Sequence, residues 1–141
     1  MADTFNLQRF IAAQAPVFEQ VLRELRRGKK QTHWMWFIFP QIQGLGFSST
    51  AQFYALESQA EAAAYAAHPL LGPRLTLCAE VLLELEHVSA LDIFGPVDEQ
   101  KLRSCMTLFA AVSGGQSVFQ SVLDRYFAGQ RDQKTLDFLR T

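Results

Sequence analysis

His33 and Asp98 are the side chains here best suited to moving a proton. An imidazole titrates near neutral pH, and a carboxylate can orient it or act as a base itself. His33 opens the most unusual stretch of the chain, Lys30-Gln31-Thr32-His33-Trp34-Met35-Trp36-Phe37-Ile38-Phe39-Pro40-Gln41-Ile42-Gln43-Gly44-Leu45-Gly46. Both tryptophans lie in it, and no side chain from Trp34 to Phe39 is charged or an amide. Six large apolar groups left exposed would form an aggregating patch, so the run must be buried. It is bounded by groups that suit ligand contact.

Each candidate has a structural reading beside its functional one. His33 is a core histidine satisfied by backbone or Gln41, or a group kept neutral by burial beside Lys30 and able to act as base or donor. Trp34 and Trp36 are core, or line a cavity whose rim accepts from their indole N–H groups and where a flat ring stacks. Gln41 and Gly44 belong to a glycine-bearing turn, which is structural by default but can offer free N–H groups to a phosphate or carboxylate. Asp98, Lys101 and Ser104 recur at three-residue spacing on one helix face, away from the Leu102–Phe109 core stripe. Asp98 either complements the helix N-terminus with Lys101 as its surface partner, or orients a ligand whose anion Lys101 contacts. Arg74 is a salt-bridge partner or a further anion contact.

Other chemistries find no support. The Gln41–Gly46 turn has no Gly-Lys-Ser/Thr tail and no preceding strand, so it is neither a P-loop nor a dinucleotide fingerprint. The histidines (His33, His68, His87) and the cysteines (Cys78, Cys105) have no metal-ligand spacing, and no metal or cofactor is expected. No serine sits in a nucleophile elbow.

These residues must be positioned by helices. Asn6 can cap a helix carrying Leu7, Phe10 and Ile11. Pro16 suits the first position of a second helix, with Val17, Phe18, Val21, Leu22 and Leu25 on one face and Gly28 as its stop. Thr32 can cap a short buried helix that Pro40 ends, followed by a loop through Gly46. Ser49 or Thr50 starts another short piece. Ser58 and Glu61 have capping-box spacing ahead of an alanine-rich helix ending near His68. Leu71, Leu75, Cys78, Leu82 and Leu85 make the next stripe. Ser89 and Asp92 suggest a turn ending at Gly95, and Pro96 restarts helix through Leu102, Cys105, Met106 and Phe109. After the Ser113-Gly114-Gly115 break, Ser117 leads a helix to Gly129, and Asp132 caps the last. The expectation is one all-α domain over residues 1–141, with about seven or eight helices, several of them short.

Bulk properties agree. A chain of 141 residues, 49% hydrophobic and 19% charged, suits a single folded domain rather than disorder. A net charge of -1 argues against a general nucleic-acid or membrane-surface binder. Five of the thirteen basic residues fall between Arg23 and Lys30, however. That cluster reads as a solvated helix end or an anion site. No signal peptide or bilayer-length apolar run is evident, and two thiols inside apolar helical patterns fit a reducing, cytoplasmic setting.

Several blocks together resemble the domain-of-unknown-function family 1810. They are Leu7-x-Arg9-Phe10, Lys30-x-x-His33-Trp34-Met35-Trp36-Phe37-Ile38-Phe39-Pro40-Gln41, Gly44-Leu45-Gly46, His68-Pro69-x-Leu71-Gly72-x-Arg74-Leu75, Asp98-x-x-Lys101-Leu102-x-Ser104 and Asp132-x-x-Thr135-Leu136. The resemblance implies an all-α domain with no established activity and supplies no catalytic residues. Some members are labelled calpastatin, but such an inhibitor is a disordered chain, and this sequence carries a large apolar core.

Two function classes follow from the residues. The first is a domain that binds, and is open to acting on, a small anionic or nucleotide-like ligand beside His33–Trp36. It requires segments 30–48, 68–74 and 98–107 to converge. The second is a non-enzymatic interaction domain, with the aromatic block as pure core and the Arg23–Lys30 edge docking an acidic partner.

Overall fold

Nine helices account for most of the residues described in the computed structural model, which are 3–114 and 117–140. In chain order they are α1 (Gln8–Gln14), α2 (Phe18–Arg26), α3 (Met35–Ile38), α4 (Ser49–Tyr54), α5 (Gln59–Ala67), α6 (Leu71–Glu84), α7 (Ala90–Val112), α8 (Val118–Phe127) and α9 (Gln133–Leu139). The all-α class expected from the sequence is found. The only strand-like feature among the described residues is an isolated parallel bridge between Ile42 and Leu56. Gly115, expected to break the chain, lies outside the described residues.

The core is built on α7. Leu102, Cys105, Met106, Leu108 and Phe109 are fully enclosed, and α7 packs against α5, α8 and α9. Against this spine α6 presents Leu71, Leu75, Cys78 and Leu82, the stripe read at spacings of four and three. Gly72 allows α6 to approach α5, since a Cβ there would stand 2.2 Å from the carbonyl oxygen of Ala66. The Tyr126 hydroxyl donates to the Leu82 carbonyl at 2.5 Å, fastening α8 to α6.

The helix starts mostly follow side-chain caps, with departures from expectation at Asn6, at Thr32 and at Pro16, which lies two residues before α2 rather than at its first position. Ser48, Ser58, Ser89, Ser117 and Asp132 each accept from a backbone N–H in the first turn that follows. Asn6 does not cap α1. It lies at φ 53, and Asp3 takes the N–H groups of Leu7 and Gln8 instead. Thr32 does not cap α3, because its hydroxyl is drawn to Glu24. His68 ends α5 as expected, and its Nδ1 also accepts from the N–H groups of Leu70 and Leu71 and so opens α6. Gly95 matters most for the site. At φ 80 it breaks α7, so that Pro96 begins a second helical run bearing Asp98, Lys101 and Ser104.

Candidate functional site

The segment before Trp34 is shaped by a residue with no apparent motif, Glu24. It lies on the buried side of α2, and its carboxylate accepts from Gln31 N (2.7 Å), Thr32 N (2.9 Å), Thr32 Oγ1 (2.6 Å), Trp34 Nε1 (3.0 Å) and Gln20 Nε2 (2.9 Å). Burial pushes this carboxyl up, but the Thr32, Gln31 and Gln20 bonds outweigh it and hold it at about 2. A charge enclosed with this many donors is satisfied rather than stranded. Meanwhile Lys30 N donates to Ile93 O at 2.7 Å, tying the segment to the first part of α7.

Held this way, Lys30 points inward. Its Nζ is 3.1 Å from one oxygen of Asp98, and the Lys101 ammonium is 3.3 Å from the other. Each lysine also lies over an indole, Lys30 at 5.1 Å from the Trp34 centroid and Lys101 at 5.2 Å from that of Trp36. One carboxylate thus bridges two cations, each backed by an aromatic face. Of the three segments expected to converge, 30–48 and 98–107 meet here, whereas Arg74 of segment 68–74 packs elsewhere, against Gln14 and Phe18.

Lys101 stands where this cluster meets open space. A cleft of about 610 Å³ runs between the second half of α7, the loop at Gln41 and Leu45, and the start of α9. That volume lies in the range of small-molecule sites. Lys101, Arg103, Arg131 and Lys134 line it, with Ser104, Gln41 and the apolar Leu45, Pro96 and Val97. Asp132 is its only carboxylate among the described residues, and one oxygen of that group already caps α9 by accepting from Thr135 N and Oγ1. Ser104 donates to Gln100 O at 3.0 Å. Thr107 Oγ1 accepts from Asp132 N at 3.0 Å, locking the start of α9 to α7.

Of the candidates read from the sequence, Gln41, Lys101 and Ser104 line the cleft, Trp36 lies under Lys101, and Asp98 and Lys30 stand behind it. Trp34 is 1% exposed and fills core between Phe39 and Phe94. Trp36 is half-buried, and the crevice beside it holds only about 10 Å³, room for one water at most. Neither indole offers an open stacking wall.

Three candidates belong neither to the cleft lining nor to the Lys30–Asp98–Lys101 cluster behind it. His33 is exposed, so the burial expected of it is absent. Among the described residues nothing hydrogen-bonds to its ring. Gly44 lines a separate cavity of about 540 Å³ with Glu57 and the exposed Phe47, and no cation faces it. Arg74 belongs to a structural network, binding Gln14 Oε1 at 3.3 Å and covering the Phe18 ring at 5.0 Å. Gln14 in turn donates to Phe37 O and the Tyr65 hydroxyl, whose pKa burial pushes well up. Segment 68–74 therefore serves the core.

Sequence reasoning missed Arg103, Arg131 and Lys134. A signal was available in Arg131-Asp132-Gln133-Lys134. Cations flanking the start of a helix oppose the macrodipole, and a break with that local rule is expected mainly where function asks for it. Arg103 carries another sign of tension, a buried Nε with no hydrogen-bond partner, while its NH2 donates to Gln100 Oε1 at 2.6 Å.

The family described as protein of unknown function (DUF1810) matches residues 4–139, and the chain belongs to it. The crystal structure of the conserved hypothetical protein Rv1873 from Mycobacterium tuberculosis is 46% identical, with 99% of each chain covered and a TM-score of 0.95. No curated protein matches.

Proposed function

We propose that this member of the DUF1810 family binds a small anionic or nucleotide-like ligand in the cleft between α7, the Gln41–Leu45 loop and α9. One observation carries the proposal: among the described residues, four cations line a concave surface with a single carboxylate, one oxygen of which is already engaged in a helix cap. Clefts with one sign of charge and low-dielectric walls concentrate ions of the opposite sign. Lys101 would meet the anion, with Ser104 and Gln41 as neutral contacts. Lys30, Asp98 and Trp36 would act through Lys101, fixing where its ammonium sits. Asp98, with an ammonium on each oxygen, suits positioning better than proton abstraction. Binding needs no proton from His33, and no reaction is assigned. No helix among the described residues is long and apolar enough to cross a membrane. Two buried free thiols fit a reducing cytoplasm.

A thermal-shift screen over inorganic phosphate, nucleotides and sugar phosphates tests this. A ligand at about a hundred times its Kd should raise Tm by roughly 5 °C or more, and Lys101→Ala should lose most of that rise. Equal shifts in parent and variant would count against the cleft. The interaction-domain reading retains one supporting observation, that Arg23, Arg26, Arg27 and Lys29 are exposed. Lys30 is turned away from that edge to Asp98.

A further inference from the structure

Three of the cleft's four cations are without a carboxylate. Lys101 has Asp98, but the ion pairs among the described residues include none for Arg103, Arg131 or Lys134. Both guanidinium groups settle for neutral amide oxygens, Arg103 on Gln100 Oε1 at 2.6 Å and Arg131 on Gln120 Oε1 at 3.0 Å. The chain has fourteen acidic residues, as many as would neutralise all its Lys and Arg. Leaving these three cations unpaired around one cavity costs self-repulsion that ordinary surface placement would avoid.

The cations also divide between two elements. Lys101 and Arg103 come from α7, while Arg131 and Lys134 flank the start of α9. Even with Asp132 counted against one of them, about two positive charges remain uncompensated, and they sit on different elements. A monocarboxylate cannot answer both. Nor is the cavity uniformly polar. Leu45, Pro96 and the largely exposed Val97 form an apolar lip, and the partly buried Gln41 has a side-chain amide with no hydrogen-bond partner among the described residues. The lip and the amide suit an uncharged body with a hydrogen-bonding edge. Guanidinium forks and ammonium groups suit phosphate oxygens.

We infer that the ligand of this cleft is an organic molecule carrying two or more phosphate groups, of which a nucleoside diphosphate is the simplest example. One phosphate meets Lys101 and Arg103, the other meets Arg131 and Lys134, and the uncharged body lies against Val97 and Leu45. This rests on the anion-binding reading above and narrows its ligand to a class.

Calorimetric titration of the full chain with orthophosphate, pyrophosphate, adenosine monophosphate and adenosine diphosphate, without divalent cations, tests it. Pyrophosphate should bind about tenfold or more tightly than orthophosphate, and the diphosphate nucleotide should exceed the monophosphate by a similar factor. Arg131→Glu and Lys134→Glu lie at exposed positions and leave the core untouched. Each should weaken the diphosphate about tenfold while moving the monophosphate much less. Arg27→Glu, an equal charge change on an exposed face away from the cleft lining, should change neither.

Equal affinity for one and two phosphates, with both weakened by Lys101→Ala, overturns the diphosphate class but leaves the anion cleft standing. No binding by any of the four probes overturns both.

Discussion

Glu24 shows how one side chain can set a site it never touches. Its hydrogen bonds fold residues 31–34 back on α2 and so aim Lys30 at Asp98. Its folded-state pKa, about 2, lies below the ordinary 4.5. The unfolded chain therefore binds the proton more readily. The resulting stability is fully present above about pH 4.5 and is lost as pH falls toward 2. Allowing for solvent screening, this amounts to roughly 1–3 kcal/mol. Glu24→Gln, which sets an amide donor against other donors, should cost about 2–4 kcal/mol at pH 7. Urea unfolding at pH 7 and pH 3 checks this, because the gap between parent and variant should narrow at the lower pH. A gap independent of pH would remove the carboxylate from the explanation. Nothing in the sequence marked Glu24, since a glutamate in a helix reads as surface until its partners are known. His33 misled in the opposite sense. Its apolar neighbours implied burial, yet the turn made by the Glu24 bonds leaves it exposed.

At the scale of elements, caps and stops were the most legible features. Ser58, Ser89, Ser117 and Asp132 act where their spacing placed them, because capping is a local interaction needing only the next turn. Thr32 and Asn6 failed as caps because distant or neighbouring carboxylates, Glu24 and Asp3, decided the hydrogen bonds there. The end of α8 offers a clean check. Ala128 adopts φ 53 just before Gly129, and a left-handed alanine costs more than a glycine. Ala128→Gly should stabilise the protein by about 0.5–1 kcal/mol, measured as a higher urea midpoint with unchanged slope. Gly72→Ala should do the reverse, since its new methyl would meet the Ala66 carbonyl oxygen and force α5 from α6. A neutral Gly72→Ala would mean that these helices are free to part.

Across the whole molecule, the charge balance near zero hides a local asymmetry. The chain is close to neutral, yet cations separated by some thirty positions face one cleft with little carboxylate to answer them. Such convergence cannot be read from spacing along the chain, because α7 and α9 are brought together by the core and by the bond between Thr107 and Asp132. Lys101 and Ser104 were legible since they share a helix face with Asp98; Arg131 and Lys134 needed the tertiary fold. The aromatic block, the most conspicuous part of the sequence, mainly supports: Trp34, Met35, Ile38 and Phe39 are buried, and Trp36 carries Lys101.

Where an anion binds can be read residue by residue from backbone amide shifts followed during a titration with inorganic pyrophosphate. The perturbed amides should concentrate at Gln41 and Leu45 and in residues 97–104 and 131–134, with little change from Arg23 to Lys29 or in the cavity at Gly44, Gln52 and Glu57. Perturbations centred on either of those other surfaces, or none at all, would contradict binding in the cleft.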